Sequence, residues 1–176
     1  MKRKTSVLSC FFLLLLSMSA YGGYYGGWYT SISKDQMTGT KSAYANTQMT
    51  GPMEEMGFPY SDTQAWLGMG CDGSNEWVYV GFTTSPNLNN TNTADGYELI
   101  RTRVKWDDTV KRTSLIQNWG EDYIVFNNDK EAISNIAKSN TMLLELNWHR
   151  LGNTYFKFSL EGSSAALRAI RNECSE

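Results

Sequence analysis

Residues 97–106 read YELIRTRVKW, and this stretch decides the fold. From residue 100 onward, every second position is apolar or threonine: Ile100, Thr102, Val104 and Trp106. The positions between them are basic: Arg101, Arg103 and Lys105. Because side chains of a strand alternate between its two faces, the pattern predicts a half-buried β-strand with a basic outer side.

Short strands joined by turns extend on both sides of this stretch. Asp72-Gly73-Ser74-Asn75 is typical of a hairpin turn, because Asp-Gly readily adopts positive φ. The other strand-like segments are residues 28–33, 41–47, 65–71, 76–83, 110–119, 123–126, 141–151 and 155–160. Residues 50–63 and the polar, Asn-rich residues 85–96 are expected as loops.

Helical spacing replaces the alternation in two places. Asn128 followed by Glu131 forms a variant of the capping box, which predicts a short amphipathic helix over residues 128–139. A final helix begins after Gly162, with a buried face of Ala166, Leu167, Ile170 and Cys174. The expected fold class is therefore α+β but mainly β, an antiparallel sheet or sandwich with two short helices.

The N-terminus carries the pattern of a cleavable secretory signal. Lys2, Arg3 and Lys4 precede an uncharged run at residues 7–16, VLSCFFLLLL, and small residues follow it. The run is too short to cross a bilayer, which needs about 20 apolar residues. We expect cleavage after Ala20 or Gly22; a lipoprotein-type cleavage before Cys10 is the alternative, although it would leave apolar residues exposed.

The expected organisation is a signal peptide at residues 1–20, a flexible Gly/Tyr leader at 21–27 and a single β-rich domain at 28–176. Loss of the signal lowers Lys plus Arg from 16 to 13 against 18 Asp plus Glu, so the net charge changes from −2 to −5. This acidic balance argues against nucleic-acid binding. No membrane-spanning segment is expected, and the predicted location is the periplasm or the exterior.

Cys71 and Cys174 remain after processing. In an oxidising compartment an isolated pair is expected to form a disulfide, here tying the C-terminal helix to the sheet. The alternative is a pair of buried thiols. Closing a loop of roughly 100 residues contributes about 4.7 kcal/mol in the chain-entropy model.

The sequence offers no convincing catalytic group, metal site or cofactor loop, so we expect a protein that is not an enzyme. His149 is interpreted as a surface residue on an outward strand face. A hydrolase that uses two converging carboxylates is the catalytic alternative; the paired acids are Glu54, Glu55, Asp107, Asp108, Glu121 and Asp122. Met49, Met53 and Met56 are interpreted as packing against the sheet rather than as copper ligands.

The least ordinary surface feature is the basic stripe of Arg101, Arg103 and Lys105, with Lys111 and Arg112 as an extension. On an acidic protein such a patch can hold a carboxylate or phosphate of a partner. Tryptophans are interpreted as core and interface anchors rather than a sugar-binding ladder: Trp28, Trp77, Trp106, Trp119 and Trp148.

Several segments together carry a resemblance to a known family. They are Trp28; Ser33, Asp35, Met37 and Thr38; Cys71 followed by residues 77–82; residues 101–107; residues 156–162; and residues 165–174. In this order they resemble the VasI/TagO-like exported proteins, which are associated with type VI secretion. The sequence departs from the family in having Asp-Gln-Met-Thr where the family has Asp-Pro-Met-Thr, and residues 50–63 have no counterpart.

The resemblance implies a non-catalytic accessory or protein-interaction domain of the bacterial envelope, whose partner is another envelope or secreted protein. It supplies no catalytic residues. The alternative function is an inhibitor or immunity protein that blocks an envelope hydrolase. The sequence leaves the oligomeric state open.

Overall fold

The computed structural model describes residues 22–94 and 96–175, which form one antiparallel sheet and two helices. The predicted signal peptide, its cleavage site after Ala20 and Tyr21 lie outside these residues. The strands are β1 (Tyr24–Tyr25), β2 (Trp28–Lys34), β3 (Lys41–Thr47), β4 (Ala65–Asp72), β5 (Asn75–Phe82), β6 (Thr91–Ala94), β7 (Tyr97–Trp106), β8 (Thr109–Asn118), β9 (Tyr123–Phe126), β10 (Thr141–Trp148) and β11 (Gly152–Ser159). The helices are α1 (Asp129–Ile136) and α2 (Ser163–Cys174).

The described strands make an 11-stranded sheet in the order β1-β2-β3-β4-β5-β9-β8-β7-β10-β11, with β6 paired to β7. Neighbours in sequence pair through short turns, as the hairpin chemistry predicts. β6 corrects the prediction of a loop over residues 85–96, because Thr91 pairs with Ile100 and extends the sheet. The predicted class, α+β and mainly β, is confirmed.

The sheet folds back on itself, so that its two halves enclose the core. The loop after β3 links the halves: Thr50 exchanges backbone hydrogen bonds with Ala65 of β4, and the amide of Met53 donates to Tyr155 of β11 at 2.8 Å. Aromatic rings meet across the interior, with the centroids of Phe82 and Phe156 5.5 Å apart in an edge-to-face contact. This packing makes the sheet two-layered, as the sandwich prediction requires.

The C-terminal helix is tied to the sheet by the predicted disulfide. Cys71 of β4 and Cys174 of α2 are joined by an S–S bond of 2.05 Å across a sequence separation of 103. Helix α2 contacts β2, β3 and β4, where the small side chains of Ala43 and Ala45 are fully buried. The expected inner face of α2 is confirmed, since the predicted residues are all buried: Ala166, Leu167, Ile170 and Cys174.

Helix α1 begins as the capping box predicts. The Asn128 side chain accepts from the Glu131 amide at 3.3 Å and donates to the Glu131 carboxylate at 3.3 Å. The carboxylate of Asp129 accepts the Val78 amide of β5 at 2.8 Å, which docks the helix on the sheet. No helix among the described residues is long and apolar enough to cross a membrane.

Other expectations about individual segments are wrong. Residues 22–27 are not a loose leader, because β1 pairs with β2 and the Gly23 amide donates to the Thr30 hydroxyl at 2.8 Å. Met56 is buried, but Met49 and Met53 are 56% and 60% exposed and do not pack as predicted. Trp119 is 62% exposed in a turn and is not a core anchor.

Candidate functional site

Strand β7 presents its basic side chains outward and its apolar side chains to the core, as the alternation predicts. Arg101 and Arg103 are exposed, and Lys105 is half-buried. Ile100 and Val104 are fully buried between them. Because side chains alternate between the two faces of a strand, burial of the apolar residues leaves the basic residues on the solvent side.

The neighbouring strands add further residues to this outer side. Arg112 of β8 lies opposite Arg103, and Ser114 lies opposite Arg101. On the other flank, the pairing of Val104 with Leu144 brings Glu145 of β10 beside Arg103. We call the outward side chains of Arg101, Arg103 and Arg112 the arginine face.

Arg103 is held in place by an ion pair with Glu145. Its Nε donates to Oε1 of Glu145 at 2.8 Å, and its Nη2 donates to Oε2, giving a two-pronged contact. The hydroxyl of Tyr155 donates to the same Oε2 at 2.9 Å. Hydrogen bonding from Arg103 holds the pKa of Glu145 below its usual value, and the Glu145 contact raises the pKa of Arg103.

Arg101 and Arg112 differ from Arg103. Within the described parts of the chain, neither guanidinium takes part in a hydrogen bond or an ion pair. They line a shallow depression of about 560 Å³ together with Arg103, Ser114 and Glu145. The depression therefore carries more positive than negative charge, although the protein as a whole is acidic.

Neither lysine of the predicted stripe lines this depression, although Lys105 lies on the outer side of β7 as predicted. Lys105 contacts Asp108 across 3.4 Å at the end of the β7–β8 hairpin. Lys111 corrects the prediction, because it lies on the other side of β8 and contacts Glu131 and Asn135 of α1 at 3.2 Å. Its neighbour Arg112 remains on the arginine face because adjacent residues of a strand point apart.

Two of the other candidate groups, His149 and Asp107, take part in local contacts. His149 is exposed in the turn after β10, where its Nδ1 contacts the side-chain oxygen of Asn89 at 3.1 Å. Asp107 accepts the amides of Asn140 and Thr141 at the start of β10. No three His, Cys, Asp or Glu side chains in the described part of the chain are grouped closely enough to hold a metal ion.

Sequence reasoning missed Glu145 and Tyr155, which fix Arg103. Both stand at outward positions of alternating strands, so the period places them on the solvent side. Their meeting with Arg103 depends on the pairing of β7 with β10, which are not consecutive in the chain. No local pattern could have identified this pairing.

Comparisons with known proteins show a likeness in fold. No family model matches the sequence, and no curated protein is significantly similar to it in sequence. The fold is similar to the crystal structure of invasion associated protein B from Bartonella henselae, with a TM-score of 0.55 and 14% identity, over 87% of this chain and 96% of that chain. The comparisons do not confirm the resemblance to the VasI/TagO-like proteins; at this identity they show a shared architecture.

Proposed function

We propose that this chain is an exported, non-catalytic binding module of the bacterial envelope, and that its arginine face receives an anionic group of a protein partner. The observation that carries the proposal is that the guanidinium groups of Arg101 and Arg112, on a folded strand pair, have no partner among residues 22–94 and 96–175. Guanidinium groups bind carboxylate or phosphate in a two-pronged geometry, which gives direction as well as charge.

The ion pair between Arg103 and Glu145 supports this role. It lies between the strands and fixes one arginine, so the neighbouring cations extend from a defined surface. Because Glu145 is already engaged by Arg103 and Tyr155, it leaves Arg101 and Arg112 available to an external anion.

The environment of the candidate catalytic groups supports a non-catalytic role. Cys71 and Cys174 are joined to each other, so neither is a thiolate nucleophile. His149 contacts the amide side chain of Asn89 rather than a carboxylate or a nucleophile. Asp107 is engaged by backbone amides, which is typical of a structural carboxylate.

The disulfide and the predicted signal peptide support an exported location, because disulfides persist in oxidising compartments. The fold likeness to a bacterial protein is consistent with a bacterial origin. A role in type VI secretion and the alternative role as an inhibitor or immunity protein stay predictions. Neighbouring genes distinguish them: secretion-apparatus genes favour the former and a toxin gene favours the latter.

The test places a photo-crosslinking amino acid at Ser114, opposite Arg101, in the exported chain of the producing bacterium. The protein captured is identified, and its affinity is measured for wild type and for the Arg101→Gln/Arg112→Gln variant. Loss of charged hydrogen bonds should weaken binding by about tenfold or more, and added salt should weaken the wild-type complex.

Lys34→Gln/Arg168→Gln is the matched control, because both residues are exposed on β2 and α2, outside the arginine face, and the variant loses the same two positive charges. We expect this variant to bind as wild type does. A partner that binds the Arg101→Gln/Arg112→Gln variant with unchanged affinity would contradict the proposal.

A further inference from the structure

A second surface, distinct from the arginine face, lies on the outer side of β2, β3, β4, β5 and β9. Its outward positions are rich in aromatic residues: Tyr29, Tyr44, Trp66, Trp77, Tyr79 and Tyr123. We call these side chains the aromatic face. Helix α2 covers the opposite side of β2, β3 and β4, so the aromatic face is on the solvent side of this half of the sheet.

Three of these rings lie against glycine residues of the facing strand. A Cβ at Gly70 would stand 2.4 Å from Cε2 of Trp77, and one at Gly68 would stand 2.2 Å from Cζ of Tyr79. Gly81 has the same relation to Trp66, at 2.2 Å. Such distances mean that each ring rests closely on the backbone of the glycine opposite it. A ring supported on its sheet side has its other side available for stacking.

Hydrogen bonds and ring contacts fix these side chains. The hydroxyl of Tyr79 donates to the side-chain oxygen of Asn46 at 2.6 Å. Tyr44 meets Trp77 edge to face, with centroids 5.9 Å apart, and Tyr123 meets Tyr79 in the same way at 6.3 Å. The rings are therefore held before any ligand arrives, which reduces the entropy cost of binding.

Between the rings is a depression of about 470 Å³, within the size range of small-molecule sites. Its described lining carries no carboxylate, ammonium or guanidinium group: Tyr44, Trp77, Tyr79, Asn118, Tyr123 and Val125. Burial raises the pKa of Tyr79 to about 12, and burial together with the Glu121 carboxylate raises the pKa of Tyr123. Both phenols are therefore neutral near pH 7, and the lining itself is uncharged, although the Glu121 carboxylate acts on Tyr123 from outside it. An uncharged ligand matches this lining.

We propose that the aromatic face binds a neutral oligosaccharide. The C–H faces of pyranose rings carry partial positive charge and stack on the negative faces of aromatic rings. Trp77 and Tyr79 supply such faces, and Asn118 supplies amide groups for sugar hydroxyls. An extended peptide fits less well, because the strands that line the depression, β3, β5, β8 and β9, each have a neighbour on both sides and offer it no free strand edge.

The experiment follows the indole N–H signals of the oxidised mature chain by NMR during titration with cellohexaose, chitohexaose and maltohexaose. We expect saturable shifts of the Trp66 and Trp77 signals with at least one of these sugars. The signals of Trp28 and Trp148, which are fully buried in the core, should stay in place. Absence of any saturable shift at millimolar concentrations of all three sugars would overturn the proposal.

Variants locate the site. Trp77→Ala should weaken the sugar interaction about tenfold, whereas Trp119→Ala, which removes an exposed tryptophan outside the aromatic face, should leave it unchanged. Asn118→Ala is a second test that removes no ring from the sheet, and it should also weaken binding. The Arg101→Gln/Arg112→Gln variant should bind sugar normally; its loss of sugar binding would contradict the assignment to the aromatic face.

Discussion

Cys71 and Glu76 lie directly opposite each other on β4 and β5, and both are bonded to helix α2. Cys71 is joined covalently to Cys174, and Glu76 accepts hydrogen bonds from Nε and Nη2 of Arg171, the latter at 2.9 Å. One pair of facing strand positions therefore anchors the last turn of the helix by a covalent bond and by an ion pair. The anchor is placed where α2 would otherwise fray.

Removal of the disulfide is expected to destabilise the fold substantially. The Cys71→Ala/Cys174→Ala variant should lose about 2–5 kcal/mol of unfolding free energy, because the unfolded chain gains the freedom of an open loop. Urea denaturation measures the loss. Reduced wild-type protein is the control and should show a similar loss; equal stability of the oxidised and reduced proteins would contradict this account.

The ion pairs of Glu76 and Glu145 make the free energy of unfolding depend on pH in the acidic range. Hydrogen bonds from Arg171 and Arg103 hold the pKa values of these carboxyl groups below their ordinary value of 4.5. The folded state therefore binds fewer protons than the unfolded state in this range. The stabilisation is complete above about pH 4.5 and is lost as the pH falls through the lower, folded-state values.

Because both pairs are partly exposed, each is expected to contribute about 0.2–1 kcal/mol. The Glu76→Gln/Glu145→Gln variant should lose less stability than wild type between about pH 7 and pH 3. Asp129→Asn should lose more stability than wild type over the same pH range. Burial raises the pKa of Asp129, so protonation of this carboxyl group favours the folded state, and the variant lacks that contribution. Parallel pH profiles for wild type and the Glu76→Gln/Glu145→Gln variant would exclude these pairs as the source.

Gly70→Ala tests the support of the aromatic face. The added methyl group would overlap the ring of Trp77, so we expect a loss of about 1–3 kcal/mol and a red shift in tryptophan emission as the ring moves toward water. Gly51→Ala is the matched control, because no atom lies within 4 Å of its added Cβ. A Gly70→Ala protein as stable as the control would show that the ring does not rest on Gly70.

Where the signal was local, the sequence predicted the structure. The alternation around Val104 defines β7, and the spacing from Asn128 to Glu131 defines the start of α1. Strand β6 was missed because residues 91–94 are polar at every position but Ala94, and only pairing with β7 makes them a strand. The polar, turn-rich composition of residues 85–96 does not indicate a strand, and β6 forms because it pairs with β7.

The candidate sites were only partly predictable. The cations of β7 were evident, but the partner of Arg103 lies 42 positions away on a strand that meets β7 only in the folded sheet. The aromatic face was partly evident in the sequence. Trp66 and Gly68 occupy alternate, outward positions of β4, and Trp77 and Tyr79 do so on β5. The alternation along each strand identifies the outward side chains. Which ring lies opposite which glycine depends on the register between the strands, which the sequence does not reveal.

The contact between Gly70 and Trp77 also limits which substitutions can be accepted at these two positions during evolution. A side chain at position 70 displaces the indole, and a small residue at position 77 uncovers the backbone that the indole shields from water. Each exchange alone is unfavourable, so the two positions are expected to change together. Aligned homologous sequences should thus show correlated substitution at this cross-strand pair, and the same coupling between positions 68 and 79.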